Sequence, residues 1–357
     1  MTITAGLDVG GAHLKVALVE DEQTIAATQF PCPLWKGLKH LDTALRKARP
    51  FLERASSFAV TMTGELSDIF DNRKEGVTTL VNHLENTLPG KISFWCGMRG
   101  FQSGDIAKAT PSNVASMNFL ATATFAAKKL DNGLLVDVGS TTTDIIPLHR
   151  GKAVPRGLTD AERLETGELV YTGLTRTSLM GTSKSVPFHG HWRPLMHEHF
   201  ATMADVYRVL ENLPDGVDLH DTADGKGKST MESVNRIAHM IGSDNLDGSM
   251  QDWGGVAQFF AEQQLRLIHD GAVQVISHGK VRPSGNLITA GIGAKIASTL
   301  ADRLGFTTHD FADLANATPE CHQQASYTAP AVAVARLLSA EVYTQMTSAP
   351  ENIKSGR

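Results

Sequence analysis

Several features that define special classes of protein are scarce in this sequence of 357 residues. Its three cysteines, Cys32, Cys96 and Cys321, are widely spaced, which argues against a disulfide framework and against a paired-cysteine metal site. The formal net charge of -5 does not favour a nucleic acid as the main partner. No apolar run reaches the roughly 18 residues of a membrane span, and the first residues lack a signal-peptide pattern. We therefore expect a cytoplasmic protein without nucleic-acid or membrane partners.

The length and the ordinary composition favour a two-domain α/β enzyme. A chain of 357 residues exceeds what one hydrophobic core usually organises, so two domains are the better starting expectation. Hydrophobic residues make up 41% and charged residues 20%, which is enough apolar material to bury two cores.

The sequence contains one strand–turn–strand pattern twice. GLDVGGAHLKVALVE and LLVDVGSTTTDIIPL share Asp-Val-Gly, then small residues, then an apolar strand, and Asp8 and Asp137 lie about 130 positions apart. A repeat of this size predicts a duplicated α/β fold whose two copies form the walls of a central cleft. We expect a first domain over 1–130, closed by a C-terminal helix at 329–345, and a second over 131–328 with an insertion at about 156–255.

Hydrophobic periodicity predicts the elements around this repeat. The first thirty or so residues alternate apolar stretches with polar turns, which predicts a β-hairpin meander. Apolar residues at helical spacing predict helices over 41–55, 76–88, 113–130, 252–270, 294–305 and 329–340. Short apolar runs predict strands at 58–62, 134–138, 143–148, 273–277 and 286–291.

The two repeated turns have the chemistry of a phosphate site. Gly10, Gly11 and Gly139 let the backbone bend tightly and present N–H groups to phosphate oxygens. Asp8 and Asp137 would bind a hydrated Mg²⁺, since a carboxylate repels phosphate and a hard cation bridges the two. Each turn alone is also compatible with an ordinary capping aspartate. Their occurrence as a pair favours the functional interpretation.

Two further features add phosphate donors. Ser140, Thr141 and Thr142 follow the second aspartate and offer hydroxyl groups. Gly291 and Gly293 end a predicted strand and open a predicted helix, whose N-terminus can bind a phosphate or a nucleotide. Such a glycine turn is also common in purely structural strand–helix connections.

In their order and spacing, the two Asp-Gly turns and the Ala-Gly-Ile-Gly turn resemble the two phosphate elements and the adenosine element of the actin-like ATPase superfamily, whose fold is ribonuclease H-like. DVGGAHLKVALV and VDVGSTTTDIIPL are most similar to its hydantoinase A and 5-oxoprolinase branch. The segments 62–68, 115–122, 171–177 and 201–207 resemble, more narrowly, the tetrahydromethanopterin-linked C1-transfer proteins, a family that includes the methanofuran-biosynthesis synthase.

The resemblance implies a transferase that joins an aminomethylfuran diphosphate to the phenol of a tyramine- or tyrosine-derived acceptor and releases pyrophosphate. Mg²⁺ at Asp8 and Asp137 would stabilise the leaving group, and ATP would fit the same site without being required. Glu65 or Asp8 would deprotonate the phenol, whose ordinary pKa is about 10. Lys15 or Arg176 would supply a nearby cation. The partners are then two small molecules, a diphosphate and a phenol.

Other interpretations stay open at this point. One is an ATP-dependent hydrolase or kinase of the hydantoinase–oxoprolinase kind, and another is a nucleotide-gated regulatory or scaffold protein. For the transferase, the resemblance places Asn118 at the substrate, and we expect Asp224 to face it from an exposed loop. Met117, Phe119 and Cys96 depart from the family pattern and bear on the identity of the acceptor.

The predicted insertion at 156–255 breaks the duplicated pattern, and insertions on a scaffold commonly carry specificity. We expect it to form a lid and the acceptor site, with Arg176, His189, His191, Asp205 and Asp224.

Two possible metal sites within the insertion are less favoured. The segment 189–199 has four histidines, a composition that suits zinc, but it lacks the spacing of the helical zinc motif. The aspartates in 215–224 are more typical of a solvated acidic loop than of a Ca²⁺ site.

Overall fold

A computed structural model gives the structure of this chain and describes residues 2–348. The described residues form two compact units. Unit 1 contains the residues up to Phe125 and those from Ala312 onward, and unit 2 is Ala126–Phe311.

The first part of the chain alternates strands with helices. The spacing of apolar residues explains the helices, as in the first one, where Leu41, Leu45 and Leu52 are buried along one face. The elements are β1 (Ile3–Val9), β2 (His13–Glu20), β3 (Gln23–Pro31), α1 (Lys39–Leu52), β4 (Ser57–Met62), α2 (Arg73–Thr87), β5 (Lys91–Trp95), β6 (Phe101–Gln102), α3 (Gly104–Ala109) and α4 (Asn118–Lys129).

The second part begins with another strand pair and then becomes mainly helical. It contains β7 (Gly133–Val138), β8 (Thr143–His149), β9 (Lys152–Ala153), α5 (Asp160–Thr166), β10 (Leu169–Val170), β11 (Ser185–Phe188), β12 (His191–Pro194), α6 (Met203–Val209), α7 (Thr230–Met240), α8 (Met250–Ser277), β13 (Asn286–Ala290), α9 (Ala294–Leu304) and β14 (Thr307–Asp310). The chain ends with α10 (Phe311–Leu314), α11 (His322–Tyr327) and α12 (Ala329–Ser348).

The sheet of unit 1 has the strand order β3-β2-β1-β4-β5-β6. The first three strands form the predicted antiparallel meander, and β1 pairs with β4 in parallel. Its central strands are buried and apolar, as expected for strands covered on both faces. Asp8 thus lies near the carboxyl end of a central strand, the edge where α/β sheets usually carry their sites.

The sheet of unit 2 follows the same plan. Its order is β10-β8-β7-β13-β14, with β9 also paired to β8. As in unit 1, the strand that carries the aspartate is antiparallel to the next strand in sequence and parallel to a later one. The repeat in the sequence therefore corresponds to a repeat in strand topology.

The last helix packs against β1, β2 and β4 of unit 1. Residues from Ala329 to Ala335 are fully buried, which explains why α12 is apolar on all sides in its first half. Gly6 makes this packing possible, because a Cβ atom there would overlap the carbonyl oxygen of Ala331.

One predicted element is wrong, and another begins later than predicted. The strand expected at 273–277 is the last turn of α8, in which Ala272 and Val275 face the core at helical spacing. The helix expected from residue 113 begins at Asn118, because Ser116 has a φ of 54°, which is not helical.

Candidate functional site

The turn after β1 brings Asp8 and Lys15 together in unit 1. The two residues are opposite each other in the β1–β2 register, and Lys15 Nζ lies 3.2 Å from Asp8 Oδ2. Asp8 is 2% exposed, and its Oδ1 atom has no hydrogen-bond partner among the described residues. Gly10 closes the turn by donating its N–H to the His13 carbonyl at 3.0 Å. A buried carboxylate with one paired and one unpaired oxygen is well suited to bind a cation.

Glu65 lies close to this turn but is fully buried. Its neighbour Gly64 donates its N–H to the Val9 carbonyl at 2.9 Å. The Glu65 Oε1 atom accepts a hydrogen bond of 2.9 Å from the Ser116 hydroxyl, so the carboxylate holds the bend that precedes α4. The expected role of Glu65 as a base stays a prediction.

Asn118 begins α4 directly after this bend. Its Oδ1 atom accepts a hydrogen bond from the N–H of Phe119 at 2.8 Å. The bend itself is aligned with the end of β4 through a parallel bridge between Met62 and Ala115. Unit 1 therefore brings the segments that contain Asp8, Glu65 and Asn118 together, and substrate binding by Asn118 stays a prediction.

The residues that depart from the family pattern, Met117, Phe119 and Cys96, are all buried in unit 1. Burial raises the pKa of the Cys96 thiol to about 11, so the thiol stays protonated at neutral pH. These side chains fill the interior near the bend before α4.

The turn after β7 repeats this geometry in unit 2. Asp137 is 8% exposed, and Gly139 donates its N–H to the Thr142 carbonyl at 2.9 Å. The hydroxyls of Ser140 and Thr141 are 3.4 Å apart. We call residues 137–142 the Asp137 turn. It presents a carboxylate and several hydroxyl and amide donors in one short segment.

The glycines of the Ala-Gly-Ile-Gly turn pack directly against the Asp137 turn. Gly291 has a φ of 82°, and a Cβ atom there would overlap Asp137 Oδ1 and the Val138 carbonyl. A Cβ at Gly293 would overlap the Val138 side chain. Close packing alone therefore explains both glycines, and their expected role in phosphate binding stays a prediction.

Arg176 reaches the Asp137 turn from a separate loop. Its Nη1 atom donates to Thr141 Oγ1 at 3.1 Å, and its backbone N–H donates to the Ser140 carbonyl at 2.8 Å. Tyr171, which is 69% exposed, interacts electrostatically with the Arg176 guanidinium. The sequence associates 171–177 with a family pattern but does not place it at the Asp137 turn. We call this segment the 171–177 loop.

His220 is a neighbour of Arg176 that the sequence did not reveal. It is half-buried and interacts electrostatically with Arg176, Lys228, Asp218 and Asp221. Burial, and then the positive charge of Arg176, lower the pKa of His220 to about 4. The imidazole beside Arg176 is therefore neutral at neutral pH.

Asp205 and Asp224 lie in ion pairs within unit 2. Asp205 is buried and accepts hydrogen bonds from Arg236 Nε at 2.8 Å and from the Ser233 hydroxyl at 2.9 Å. Asp224 accepts a hydrogen bond from Arg236 Nη1 at 3.1 Å. These contacts tie α6 and the 215–229 loop to α7, and the expected substrate contacts of both aspartates stay predictions.

The histidine-rich segment 189–199 supplies the exposed turn and the second strand of the hairpin of β11 and β12. His189 stacks on Phe188 and lies 3.7 Å from Asp252, while His191 is exposed. Among residues 2–348, no group of three or more His, Cys, Asp or Glu side chains could hold a metal ion. In the same part of the chain, no helix is long and apolar enough to cross a membrane.

Comparisons with known proteins found a matching family and named relatives. A family model described as hydantoinase/oxoprolinase matches residues 57–340. A protein of Methanocaldococcus jannaschii named (4-{4-[2-(gamma-L-glutamylamino)ethyl]phenoxymethyl}furan-2-yl)methanamine synthase is 28% identical over 94% of this chain and 98% of its own length. A protein of the same name from Methanococcus vannielii is 33% identical over 49% of this chain and 77% of its own length.

Among solved structures, a nucleotide-free acetone carboxylase from a study of ATP-dependent acetone carboxylation aligns with a TM-score of 0.51. It is 11% identical and covers 92% of this chain and 70% of that chain. At this identity the likeness shows the fold alone. Together with the two repeated sheets, it confirms the predicted actin-like ATPase fold.

Proposed function

Because this chain belongs to the hydantoinase/oxoprolinase family, we propose that it is a transferase of that family which forms the furan–phenol ether of a methanofuran-type cofactor. It joins an aminomethylfuran diphosphate to the phenol of a tyramine- or tyrosine-derived acceptor and releases pyrophosphate. The observation that carries the proposal is the nearly full-length match to a synthase named for a phenoxymethylfuran amine.

The reaction forms one bond and breaks another at the same carbon. The phenolic oxygen attacks the furanylmethyl carbon, the bond from that carbon to the diphosphate oxygen breaks, and pyrophosphate leaves with the electron pair. The phenolic proton passes to a base. The demanding step is stabilisation of the charge that develops on the leaving diphosphate.

The Asp137 turn is suited to this task. The hydroxyls of Ser140 and Thr141 can donate to phosphate oxygens, and Arg176, which already contacts Thr141, can add a fixed positive charge. Gly139 leaves the backbone of the turn open to close approach. We therefore assign diphosphate binding to these residues of unit 2.

Each of the two repeated turns offers a carboxylate that Mg²⁺ could bind. In unit 1 the unpaired Oδ1 atom of Asp8 is a buried oxygen in need of a positive partner. Asp137 is the corresponding carboxylate of unit 2. When bound, Mg²⁺ would neutralise diphosphate charge, while Lys15 limits the charge left on Asp8.

The alternative is an ATP-dependent hydrolase or kinase of the hydantoinase–oxoprolinase kind, which the description of the family favours. The third glycine turn was the part of the sequence that suggested adenosine binding. Since packing against Asp137 and Val138 explains Gly291 and Gly293, this turn no longer favours ATP over a simpler diphosphate.

The deciding assay contains the protein, a furanylmethyl diphosphate, a tyramine-derived phenol and Mg²⁺, with no nucleotide. We expect an ether product, detected by mass spectrometry, and one pyrophosphate per ether. Chelation of Mg²⁺ should abolish turnover. If no ether forms without ATP, and ADP appears when ATP is added, the hydrolase or kinase replaces this proposal.

A further inference from the structure

Gln264 is a fully buried polar residue in the middle of the long helix α8. Its Nε2 atom donates to Thr172 Oγ1 and to the Gly173 carbonyl, both at 2.8 Å. Its Oε1 atom accepts a hydrogen bond of 2.7 Å from the Tyr207 hydroxyl of α6. Both amide donors and the amide oxygen of this side chain are thus satisfied.

Tyr207 supports this arrangement from the other side. It is 7% exposed, and burial, with a smaller effect of Glu262, raises the pKa of its phenol. The hydroxyl therefore stays protonated and remains a donor to Gln264. A chain of hydrogen bonds runs from α6 through α8 to the start of the 171–177 loop.

The 171–177 loop is in turn bonded to the strand that follows the Asp137 turn. Thr143 Oγ1 donates to the Thr172 carbonyl at 2.8 Å, and the Gly173 N–H donates to Thr177 Oγ1 at 2.8 Å. These groups are buried, so the loss of any of these hydrogen bonds would leave a buried polar atom with neither a protein partner nor water to bond to. The conformation of the loop is therefore tightly specified.

The same loop contacts the Asp137 turn along its length. Leu174 donates its N–H to the Gly139 carbonyl at 2.9 Å. A Cβ atom at Gly173 would lie 2.5 Å from the Thr141 nitrogen, so the two backbones are in close contact. Arg176 then contacts Ser140 through its backbone and Thr141 through its side chain.

We propose that Gln264, supported by Tyr207, is a positioning residue that sets the geometry of the Asp137 turn and of Arg176 for diphosphate binding. Their hydrogen bonds lead to the 171–177 loop, so both act through this loop. An apolar side chain in α8 would fill the same space without fixing the loop, whereas a fully satisfied polar network specifies one arrangement. The nature of the ligand rests on the proposed function, but the role of Gln264 rests on these contacts.

The test measures binding of Mg²⁺-pyrophosphate by calorimetry, together with kcat and KM for each substrate. Gln264→Leu removes all three hydrogen bonds, and we expect the Kd for pyrophosphate and the KM for the diphosphate to rise about tenfold. Tyr207→Phe removes one bond and should raise both about threefold. The KM for the phenol should change less than about twofold in either variant, because the hydrogen bonds of Gln264 lead to the turn that we assign to the diphosphate.

Gln274→Leu is the matched control. Gln274 also lies on α8 and donates to a backbone carbonyl, that of Glu165, but this contact is exposed and lies outside the 171–177 loop. We expect its pyrophosphate affinity to equal that of the unsubstituted protein. A double variant of Gln264→Leu and Arg176→Ala should lose less affinity than the two single losses combined, because both act on one turn.

Two outcomes would overturn the inference. One is a Gln264→Leu protein that binds Mg²⁺-pyrophosphate as tightly as the unsubstituted protein at a temperature well below its Tm, even if that Tm is lowered. The other is an unsubstituted protein that does not bind pyrophosphate at all. If the unsubstituted protein binds pyrophosphate but makes no ether, the proposed transferase activity is wrong. The pyrophosphate affinities of the variants then still decide the role of Gln264.

Discussion

Among single residues, Arg176 carries a positive charge that the structure places directly at the Asp137 turn. Its guanidinium donates to Thr141 and interacts electrostatically with Tyr171 and His220, and because the residue lies at the surface we expect its removal to cost little folding energy. We expect Arg176→Ala to lower kcat/KM for the diphosphate by about 100-fold, because the variant lacks a positive charge that would stabilise the leaving pyrophosphate. Steady-state kinetics would measure this.

Arg193→Ala is the control for this substitution, because Arg193 is an exposed arginine on β12. Both variants should keep the Tm of the unsubstituted protein to within about 2 °C. Equal activity of the two variants would show that Arg176 does not act on the diphosphate.

His220 makes the stability of unit 2 depend on pH. Burial and Arg176 lower its pKa from 6.5 to about 4, so between these values the unfolded chain binds a proton that the folded chain does not. The contribution of His220 to the free energy of unfolding is therefore complete above about pH 6.5 and is lost as the pH falls towards 4. The difference between the two pKa values corresponds to at most about 3 kcal/mol of the free energy of unfolding.

We expect His220→Gln to flatten the fall in the free energy of unfolding between pH 6.5 and pH 4, the window set by this pKa shift. Urea titrations of both proteins across this range would measure it. The other titrating groups are the same in both proteins, so their effects on the free energy of unfolding cancel when the two curves are subtracted. Parallel curves would contradict the lowered pKa.

Some features of the candidate site could be predicted from the sequence and others could not, for a physical reason. The two aspartates and the glycine turns are local patterns of a few residues, so their geometry follows from the turn itself. Gln264 meets Thr172 across 92 positions in sequence, and no local pattern indicates such a contact. The same holds for the hydrogen bond between Glu65 and Ser116, which lie 51 positions apart in sequence.

At the scale of elements, the repeat and the short buried strands could be predicted because their apolar runs are bounded by glycine or polar turns. The strand expected at 273–277 failed because its valines also fit the last turn of a helix, where tertiary packing decides. The start of α4 was set by the left-handed conformation of Ser116, which composition does not reveal.

The turn between β13 and α9 packs closely against the Asp137 turn, and this contact predicts a large loss of stability when Gly291 is substituted. Alanine at Gly291 would combine a positive φ with overlap against Asp137 Oδ1 and the Val138 carbonyl. We expect Gly291→Ala to lower the free energy of unfolding by about 3 kcal/mol or more, measured by urea denaturation. Pyrophosphate affinity should fall as well, because Asp137 must move.

Gly190→Ala isolates the part of this effect that comes from the backbone alone. Gly190 has a φ of 76°, but nothing lies within 4 Å of its Cβ position. Its substitution should cost only about 1 kcal/mol. A similarly small loss for Gly291→Ala would mean that the close contact with the Asp137 turn is not formed.

For the whole molecule, the predicted duplication is visible as two sheets that share one strand plan. The plan follows from the sequence because each copy keeps its own Asp-Val-Gly turn and its own flanking strands. The domain boundaries expected at 130 and 328, and the expected cleft between the two aspartates, stay predictions. They depend on contacts between distant segments, which periodicity does not specify.

The return of the last helix to the first strand gives the final prediction. Gly6 on β1 lies beneath α12, and any Cβ there would overlap the Ala331 carbonyl and the Ala335 side chain. Because α12 also packs on β2 and β4, the helix cannot shift without disturbing most of the sheet in unit 1. Gly6→Ala should therefore lower the free energy of unfolding by about 3 kcal/mol or more.

Gly254→Ala is the control, since Gly254 lies within α8 with nothing inside 4 Å of its Cβ position. It should raise stability by up to about 1 kcal/mol through helix propensity. Urea denaturation followed by circular dichroism would compare the two variants. A Gly6→Ala protein as stable as the unsubstituted one would mean that α12 does not pack on β1, and that the first and last elements of the described chain do not share a core.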